Sequence, residues 1–262
     1  MTLTCRTVFV SDVHLGTSAS RAADLLDLLN TVVTDRLYLV GDIIDIEQMK
    51  GRSSFTPEHH NVINRLLQLA TSGTDVIYIP GNHDREIRAL VGSTLKGVQI
   101  KMEDTHVTAD GSRFLVTHGD VLDQHVRKHN NLEVFGAAAY HLLLEIDVQI
   151  NKLRSRFGHD YAPISTRLKQ SIASAQRYIA KFEAFAATYA RQRGFDGIIC
   201  GHIHKPEIRD INGIRYVNDG DWVEHRSAVT EAANGELTLL HWDAVTRERL
   251  AATPTDSGAL AA

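Results

Sequence analysis

The 262-residue sequence predicts an α/β domain built around a mixed β-sheet, with a helical segment inserted before its last strands. Three observations lead to this fold class. Short aliphatic runs alternate with helical patterns in the first half of the chain, later runs follow one another without helices, and residues 127–193 differ in both periodicity and charge. A chain of this length fits one domain with an insertion.

The predicted strands are short runs of β-branched or aliphatic residues that end in polar, glycine-containing turns. In the first half they alternate with three helical patterns, at 21–30, 57–70 and 85–91. A turn at 232–235 suggests a hairpin near the end of the chain. The runs are 7–10, 37–40, 76–79, 113–116, 197–200, 214–217 and 237–242. We therefore expect parallel strands joined by helices, followed by antiparallel ones.

Residues 127–193 carry 11 Lys and Arg against 5 Asp and Glu, a net charge of +6, whereas the rest of the chain has −10. Apolar residues recur every three or four positions from Leu132 and again from Ile172, which predicts two amphipathic helices. The segment is either a hairpin with a solvated basic face or a cap that presents cations to an anionic or lipid-linked substrate. We expect a core at 1–126 and 194–245, a cap at 127–193 and a flexible tail at 246–262.

The composition limits the classes of function. A net charge of −4 and a pI near 6.4 disfavour a protein that wraps nucleic acid. The absence of any 18-residue apolar stretch predicts a cytoplasmic protein. The most membrane contact that we expect is peripheral association with the inner membrane through the basic cap. Two cysteines, Cys5 and Cys200, are expected to be reduced core residues, so metal chemistry would rest on the 14 histidines and on carboxylates.

Five polar motifs each follow a predicted strand, at the point where the aliphatic run ends. Open α/β sheets build their sites at the carboxyl ends of strands. Side chains two positions apart in extended chain project to one face, and a neighbouring glycine lets the backbone turn close to a ligand. The motifs are Ser11-Asp12-Val13-His14, Gly41-Asp42-Ile43-Ile44-Asp45, Gly81-Asn82-His83-Asp84, Thr117-His118-Gly119-Asp120 and Gly201-His202-Ile203-His204. They predict a metal site.

In this order, the motifs resemble the signature of the calcineurin-like metallophosphoesterases: D-x-H, G-D-x-x-D, G-N-H-D/E, a histidine followed by glycine, and G-H-x-H. The resemblance covers residues 12–204. It implies a four-layer αββα sandwich of two mixed sheets with an inserted helical cap, and a metal-dependent hydrolase of phosphoanhydride or phosphoester bonds. It also implies two divalent metal ions, with Mn²⁺ expected first and Fe or Zn²⁺ as alternatives.

The resemblance assigns a role to each motif residue. Two close cations need a shared anionic ligand, and together they clamp a phosphate and lower the pKa of a bridging water, which would attack phosphorus as hydroxide. By resemblance, the first metal would be held by Asp12, His14 and His204, the second by Asn82, His118 and His202, and both by Asp42.

Other polar residues of the motifs would assist. His83 resembles the residue that contacts the phosphate and protonates the leaving oxygen, and Asp45 would fix its tautomer. Asp84 would cap the helical run that follows it or serve the site. Asp120 and Asp123 are expected to support the ligands or to face the substrate.

Within the family, the chain resembles the bacterial branch related to UDP-2,3-diacylglucosamine diphosphatase, through 9–16, 38–42 and 218–222. This implies hydrolysis of a nucleotide-sugar lipid with release of UMP. The third motif of that branch resembles G-N-R-D, whereas this chain has His83 in place of the arginine. The alternative is therefore a paralogue that acts on a soluble nucleotide or phosphoprotein. A non-catalytic scaffold is the third hypothesis, against which the full ligand set argues. A lipid substrate predicts that Phe135 and Phe182 line an open groove.

Overall fold

The computed structural model describes residues 2–49, 55–128, 166–246 and 248. Within these residues, two β-sheets lie face to face and helices cover their outer faces. The strands are β1 (Leu3–Val10), β2 (Val32–Leu39), β3 (Asp75–Tyr78), β4 (Thr94–Leu95), β5 (Val98–Ile100), β6 (Asp104–Val107), β7 (Arg113–Val116), β8 (Gly197–Cys200), β9 (Glu207–Ile211), β10 (Ile214–Asn218), β11 (Ser227–Glu231) and β12 (Leu237–His241). The helices are α1 (Ala22–Thr31), α2 (Ile46–Met49), α3 (Pro57–Thr71), α4 (Asp120–Lys128) and α5 (Thr166–Gln192).

Both sheets are mixed, as predicted. The first has the order β12-β11-β1-β2-β3-β5-β4 among the described strands; β1, β2, β3 and β5 run parallel to one another, and the outer strands pair antiparallel. The second has the order β6-β7-β8-β10-β9, with a parallel centre of β7, β8 and β10 and antiparallel edges. Parallel strands need crossovers, which explains the helices between the early strands.

Three apolar layers hold the sandwich together. Between the sheets, Phe9 stacks on Tyr38 with ring centroids 4.9 Å apart, and Phe114 reaches the same layer from the second sheet. The outer layers bury α1 and α3 against the first sheet and α5 against the second. The result is the four-layer αββα arrangement.

The polar motifs meet because the strand ends meet. The backbone of Asp12 donates to the carbonyl of Gly41 at 3.0 Å, which joins the ends of β1 and β2. The backbone of Gly201 donates to the carbonyl of His118 at 3.1 Å, which joins the ends of β7 and β8. Backbone hydrogen bonds therefore fix the edge at which the site lies.

The structure differs from the sequence prediction at several elements. Residues Arg85–Leu90 form a 3₁₀-helix instead of an α-helix, since the backbone of Ile87 bonds to Asp84 three residues earlier. The hairpin at 232–235 is confirmed and joins β11 to β12. Of the two insert helices, the second is α5, whereas the first, from Leu132, lies outside the described residues together with almost all of the predicted tail at 246–262. None of the described helices is long and apolar enough to span a bilayer.

Candidate metal centre

Seven of the nine residues predicted as ligands or catalytic groups line one cleft of about 540 Å³ at the carboxyl edge of the two sheets, and the buried Asp12 and His118 contact them from behind. β1 delivers Asp12 and His14, and β2 delivers Asp42 and Asp45. The other parallel strands deliver Asn82, His83, His118, His202 and His204. The structure thus brings together all nine residues predicted as ligands or catalytic groups.

The first group consists of Asp12, His14 and His204, whose ligand atoms lie within 4.8 Å of one another. Asp12 Oδ1 is 3.1 Å from His204 Nε2 and 4.0 Å from His14 Nε2. The other oxygen of Asp12 already accepts from the Ser11 hydroxyl and from the His202 backbone. Asp12 Oδ1 and His14 Nε2 are buried and have no hydrogen-bond partner among the described residues. Two buried acceptors left open in this way fit a bound cation.

Asp45 determines which nitrogen of His14 points to this group. Its Oδ2 lies 3.1 Å from His14 Nδ1, in hydrogen-bond geometry, so His14 presents Nε2 to Asp12. The same oxygen is also 3.1 Å from His83 Nδ1, but that contact is not aligned as a hydrogen bond. Asp45 is therefore oriented chiefly toward His14, and its predicted effect on His83 rests on the distance alone.

The second group is formed by Asp42, Asn82 and His118, with His202 beside them. His118 donates Nδ1–H to the Val40 carbonyl at 2.8 Å, which leaves Nε2 within 3.4 Å of both Asp42 Oδ2 and Asn82 Oδ1. The His202 ring lies 5.2 Å from that of His118, centroid to centroid. Because His202 Nε2 bonds to Asp123 Oδ2 at 3.0 Å, Nδ1 is the nitrogen that can coordinate a metal.

The cluster attracts positive charge. Burial raises the pKa of Asp42, but the neighbouring His118 outweighs it and holds this pKa well below its ordinary value. Burial lowers the pKa of His204, yet Asp12 raises it overall to about 9. Burial also opposes protonation of His118, whose pKa nevertheless lies well above its usual range because of Asp42. Carboxylates that stabilise imidazolium so strongly equally favour metal cations in its place.

The backbone is strained where ligands are held. Five of the eight non-glycine residues with left-handed backbone in the described part of the chain are predicted ligands, with φ between 51° and 71°. Such conformations persist where the surrounding structure imposes them, and they concentrate at functional sites. The five residues are Asp12, His14, Asp42, His202 and His204.

Glycines leave room for the ligands. A Cβ on Gly41, whose φ is +88°, would lie 2.3 Å from His118 Nδ1. A Cβ on Gly201 would lie 2.3 Å from Ser11 Oγ and 2.4 Å from Asp12 Oδ2. The glycines of the motifs are therefore required by close approach as well as by turn geometry.

The remaining motif carboxylates contact protein groups. Asp84 does not cap the helix through its side chain; it accepts from the backbone of Gly81 and Ile43 and from the Tyr78 hydroxyl. Asp120 binds Arg88 at 2.7 Å, and Arg88 also donates to the Gly81 carbonyl. Asp123 binds His202, as described above. A direct contact of Asp120 or Asp123 with substrate stays a prediction.

Sequence reasoning gave no role to Asp219, which lies at the end of β10. Its Oδ1 is 2.6 Å from the Ser11 hydroxyl, which is itself 2.6 Å from Asp12 Oδ2. The Ser11 hydroxyl is thus placed to donate to either carboxylate, and burial raises the pKa of Asp219 well above its ordinary value. The available signal was the polar run 218–221 directly after an apolar run.

A family model described as calcineurin-like phosphoesterase matches residues 5–206. The chain belongs to this family. It is a metal-dependent hydrolase of phosphoester or phosphoanhydride bonds, and the family uses a dinuclear centre of divalent metals.

Relatives with curated names cover nearly the whole chain. UDP-2,3-diacylglucosamine hydrolase of Xanthomonas campestris is 29% identical over 245 residues, which include 87% of this chain and 96% of the relative. The enzyme of the same name from Shewanella oneidensis is 26% identical and covers 88% and 95%. Among solved structures, the phosphoesterase Yfce from E. coli matches with a TM-score of 0.40 and 14% identity, covering 90% of this chain and 99% of that one. That likeness is too distant to add to the fold described above.

Proposed function

We propose that this chain hydrolyses the phosphoanhydride of a UDP-2,3-diacylglucosamine-like nucleotide-sugar lipid and releases UMP. The observation that carries the proposal is a pair of adjacent ligand groups in one cleft, in a chain whose relatives are named UDP-2,3-diacylglucosamine hydrolase. These relatives are 26–29% identical along most of the chain. The reaction class follows from the family, and the substrate is our proposal.

The ligand groups suit two divalent ions, and we propose Mn²⁺. Asp12, His14 and His204 would hold one ion, and Asn82, His118 and His202 the other. Asp42 would serve both, since it lies within ligand distance of Asp12 and His118. Bound there, the ions would polarise the phosphoryl oxygens and lower the pKa of water.

His83 is placed to move a proton. It lines the cleft with about a third of its side chain exposed, and its backbone N–H donates to Asp42 Oδ1 at 2.8 Å. Nδ1 faces Asp45, so Nε2 is the nitrogen available to a leaving oxygen. A protonated imidazole at this position would donate to the departing group as the phosphorus–oxygen bond breaks.

One observation favours the second candidate, a phosphodiesterase or phosphatase acting on a soluble nucleotide or phosphoprotein. Phe182, expected to line an open groove for acyl chains, is fully buried and packs toward His202, with ring centroids 6.2 Å apart. The groove prediction is wrong for this residue, and Phe135 lies outside the described residues. Acyl chains, and any peripheral membrane contact, would need other surfaces of the proposed cap.

Product analysis by mass spectrometry separates the two candidates. The enzyme, loaded with Mn²⁺, is incubated with UDP-2,3-diacylglucosamine, bis(p-nitrophenyl) phosphate or p-nitrophenyl phosphate, and Asp42→Ala serves as the inactive control. We expect UMP from the first substrate at the highest kcat/KM. Hydrolysis of the simple esters without UMP release would support the soluble-substrate candidate instead.

A further inference from the structure

Arg127 lies in the last turn of α4 and lines the same cleft as the ligand groups. It is the one Lys or Arg among the described residues of the cleft wall. The other charged groups of that wall are the carboxylates Asp42 and Asp45, besides the histidines. Nearly half of the Arg127 side chain is exposed, so its head is accessible to a bound molecule.

The guanidinium is anchored toward the second ligand group. Arg127 Nε lies 2.8 Å from Asp123 Oδ2, one helical turn earlier on α4. The same oxygen accepts from His202 Nε2 at 3.0 Å, and the Asp123 side chain is almost fully buried. A guanidinium carries five N–H donors, and this contact uses one of them. The other N–H donors of Arg127 remain available for an anion. Asp123 holds the guanidinium near the second ligand group, because it also binds His202.

A phosphoanhydride brings two phosphoryl groups into the cleft. The ligand groups account for the one that is attacked, and its neighbour carries negative charge for which Arg127 is the available guanidinium on the described cleft wall. A planar guanidinium matches two phosphate oxygens at once, which a single ammonium cannot do. Building on the proposed function, we infer that Arg127 binds the phosphoryl group next to the attacked one and makes the site selective for phosphoanhydrides over simple esters.

The test compares Arg127→Gln and Arg127→Lys on two substrates. Arg177→Gln is the matched control, because Arg177 is exposed, bonds to Ser174 and does not line the cleft. For Arg127→Gln we expect kcat/KM for UDP-2,3-diacylglucosamine to fall about 10- to 100-fold, mainly through KM. Hydrolysis of bis(p-nitrophenyl) phosphate, which has one phosphoryl group, should fall much less. Arg127→Lys should recover part of the loss, since lysine keeps the positive charge but lacks the paired N–H donors of the guanidinium.

Two results would overturn the inference. Equal losses on both substrates would mean that Arg127 acts through Asp123 and His202 on the metal centre, and no loss beyond that of Arg177→Gln would mean a surface ion pair only.

If the wild type leaves UDP-2,3-diacylglucosamine intact, the proposed substrate fails while Arg127 is still tested. Inhibition of bis(p-nitrophenyl) phosphate hydrolysis by methylenediphosphonate is then compared with inhibition by inorganic phosphate. Selective weakening of the diphosphonate in Arg127→Gln supports the inference, and equal weakening of both contradicts it.

Discussion

Asp45 and His14 are joined by a hydrogen bond of 3.1 Å between Oδ2 and Nδ1, and this bond turns His14 Nε2 toward Asp12. Removing it in Asp45→Ala frees the ring to adopt the other tautomer. We expect metal affinity to fall about 10- to 100-fold, as measured by calorimetry and elemental analysis, with partial recovery in Asp45→Asn. Asp210→Ala, at an exposed carboxylate paired with Arg215, is the control. Unchanged affinity with reduced turnover would show that Asp45 acts through His83 instead.

His83 contributes to the chemistry in our proposal without holding a metal. In His83→Ala, turnover should fall about 10²- to 10⁴-fold, the usual range for a lost acid–base group, while metal content stays at the wild-type level. His118→Ala is the contrasting variant and should lose metal. Metal loss in His83→Ala would assign this histidine to the ligands.

Gly201 and Gly197 allow a paired test of crowding, because neither adopts positive φ and a Cβ on either would clash. At Gly201 the clash is with Ser11 and Asp12, and at Gly197 it is with the Phe114 ring at 2.2 Å. Both alanine variants should lose about 1–3 kcal/mol of stability in chemical denaturation. Only Gly201→Ala should also lose metal. Equal metal content in the two variants would argue that Asp12 tolerates displacement.

Glu183 lies on α5 and forms ion pairs with two residues that follow the last motif. Its carboxylate is almost fully buried and binds Lys205 Nζ at 3.0 Å and the Arg209 guanidinium. Burial raises the pKa of Glu183, and the two cations only partly offset this. Because both cations are about 40% exposed, we expect Glu183→Gln to destabilise the fold by about 1–3 kcal/mol, less than a fully buried pair would.

Glu103→Gln is the matched control for this substitution. Glu103 also binds an arginine, Arg193, but at an exposed site, where the loss should stay below about 1 kcal/mol. Urea denaturation of the two variants decides the point, and equal effects would show that burial of Glu183 contributes nothing.

The buried pair of His106 and Glu231 predicts sensitivity to acid. Burial lowers the pKa of His106 below its ordinary value near 6.5. The unfolded chain therefore takes up a proton near pH 6.5 that the folded protein resists, and stability falls as the pH drops below that point. The pKa of Glu231 is raised by burial but lowered overall by Thr7, Ala109 and Arg6, so its contribution is lost below about pH 4.5.

The measurement for this pair is the free energy of unfolding between pH 7.5 and 5. In His106→Asn the fall over this range should be smaller than in the wild type, because the variant lacks the imidazole whose protonation burial opposes. Comparing the two proteins cancels the contribution of the metal centre, which they share. Parallel pH profiles would exclude His106 as the source.

Much of this site could be predicted because its signals are local. Asp12, Asp42 and His118 each stand one or two residues beyond an aliphatic run, and the ends of parallel strands meet. The partners were not predictable: Asp123 binds His202 across 79 positions, and His106 finds Glu231 across 125. Only the folded chain defines such pairs.

Some elements carry too little pattern to be found. β4 has two exposed residues, and β9 is mostly polar at a sheet edge, so neither shows an apolar alternation. The run at Arg85–Leu90 has helical spacing, but six residues without a buried side chain favour the tighter 3₁₀ turn. For β4 and β9, pairing with a neighbouring strand decided the local structure.

The left-handed backbone at five of the motif positions limits how this centre can change by substitution. Apart from glycine, the residues that best tolerate such a conformation are Asn, Asp and His, which are also oxygen and nitrogen donors. Exchange within that trio could retune the preferred ion while keeping the chain path. Conversion to a thiolate centre would require a different path for the main chain. The backbone torsion angles therefore help to determine which metals this fold can bind.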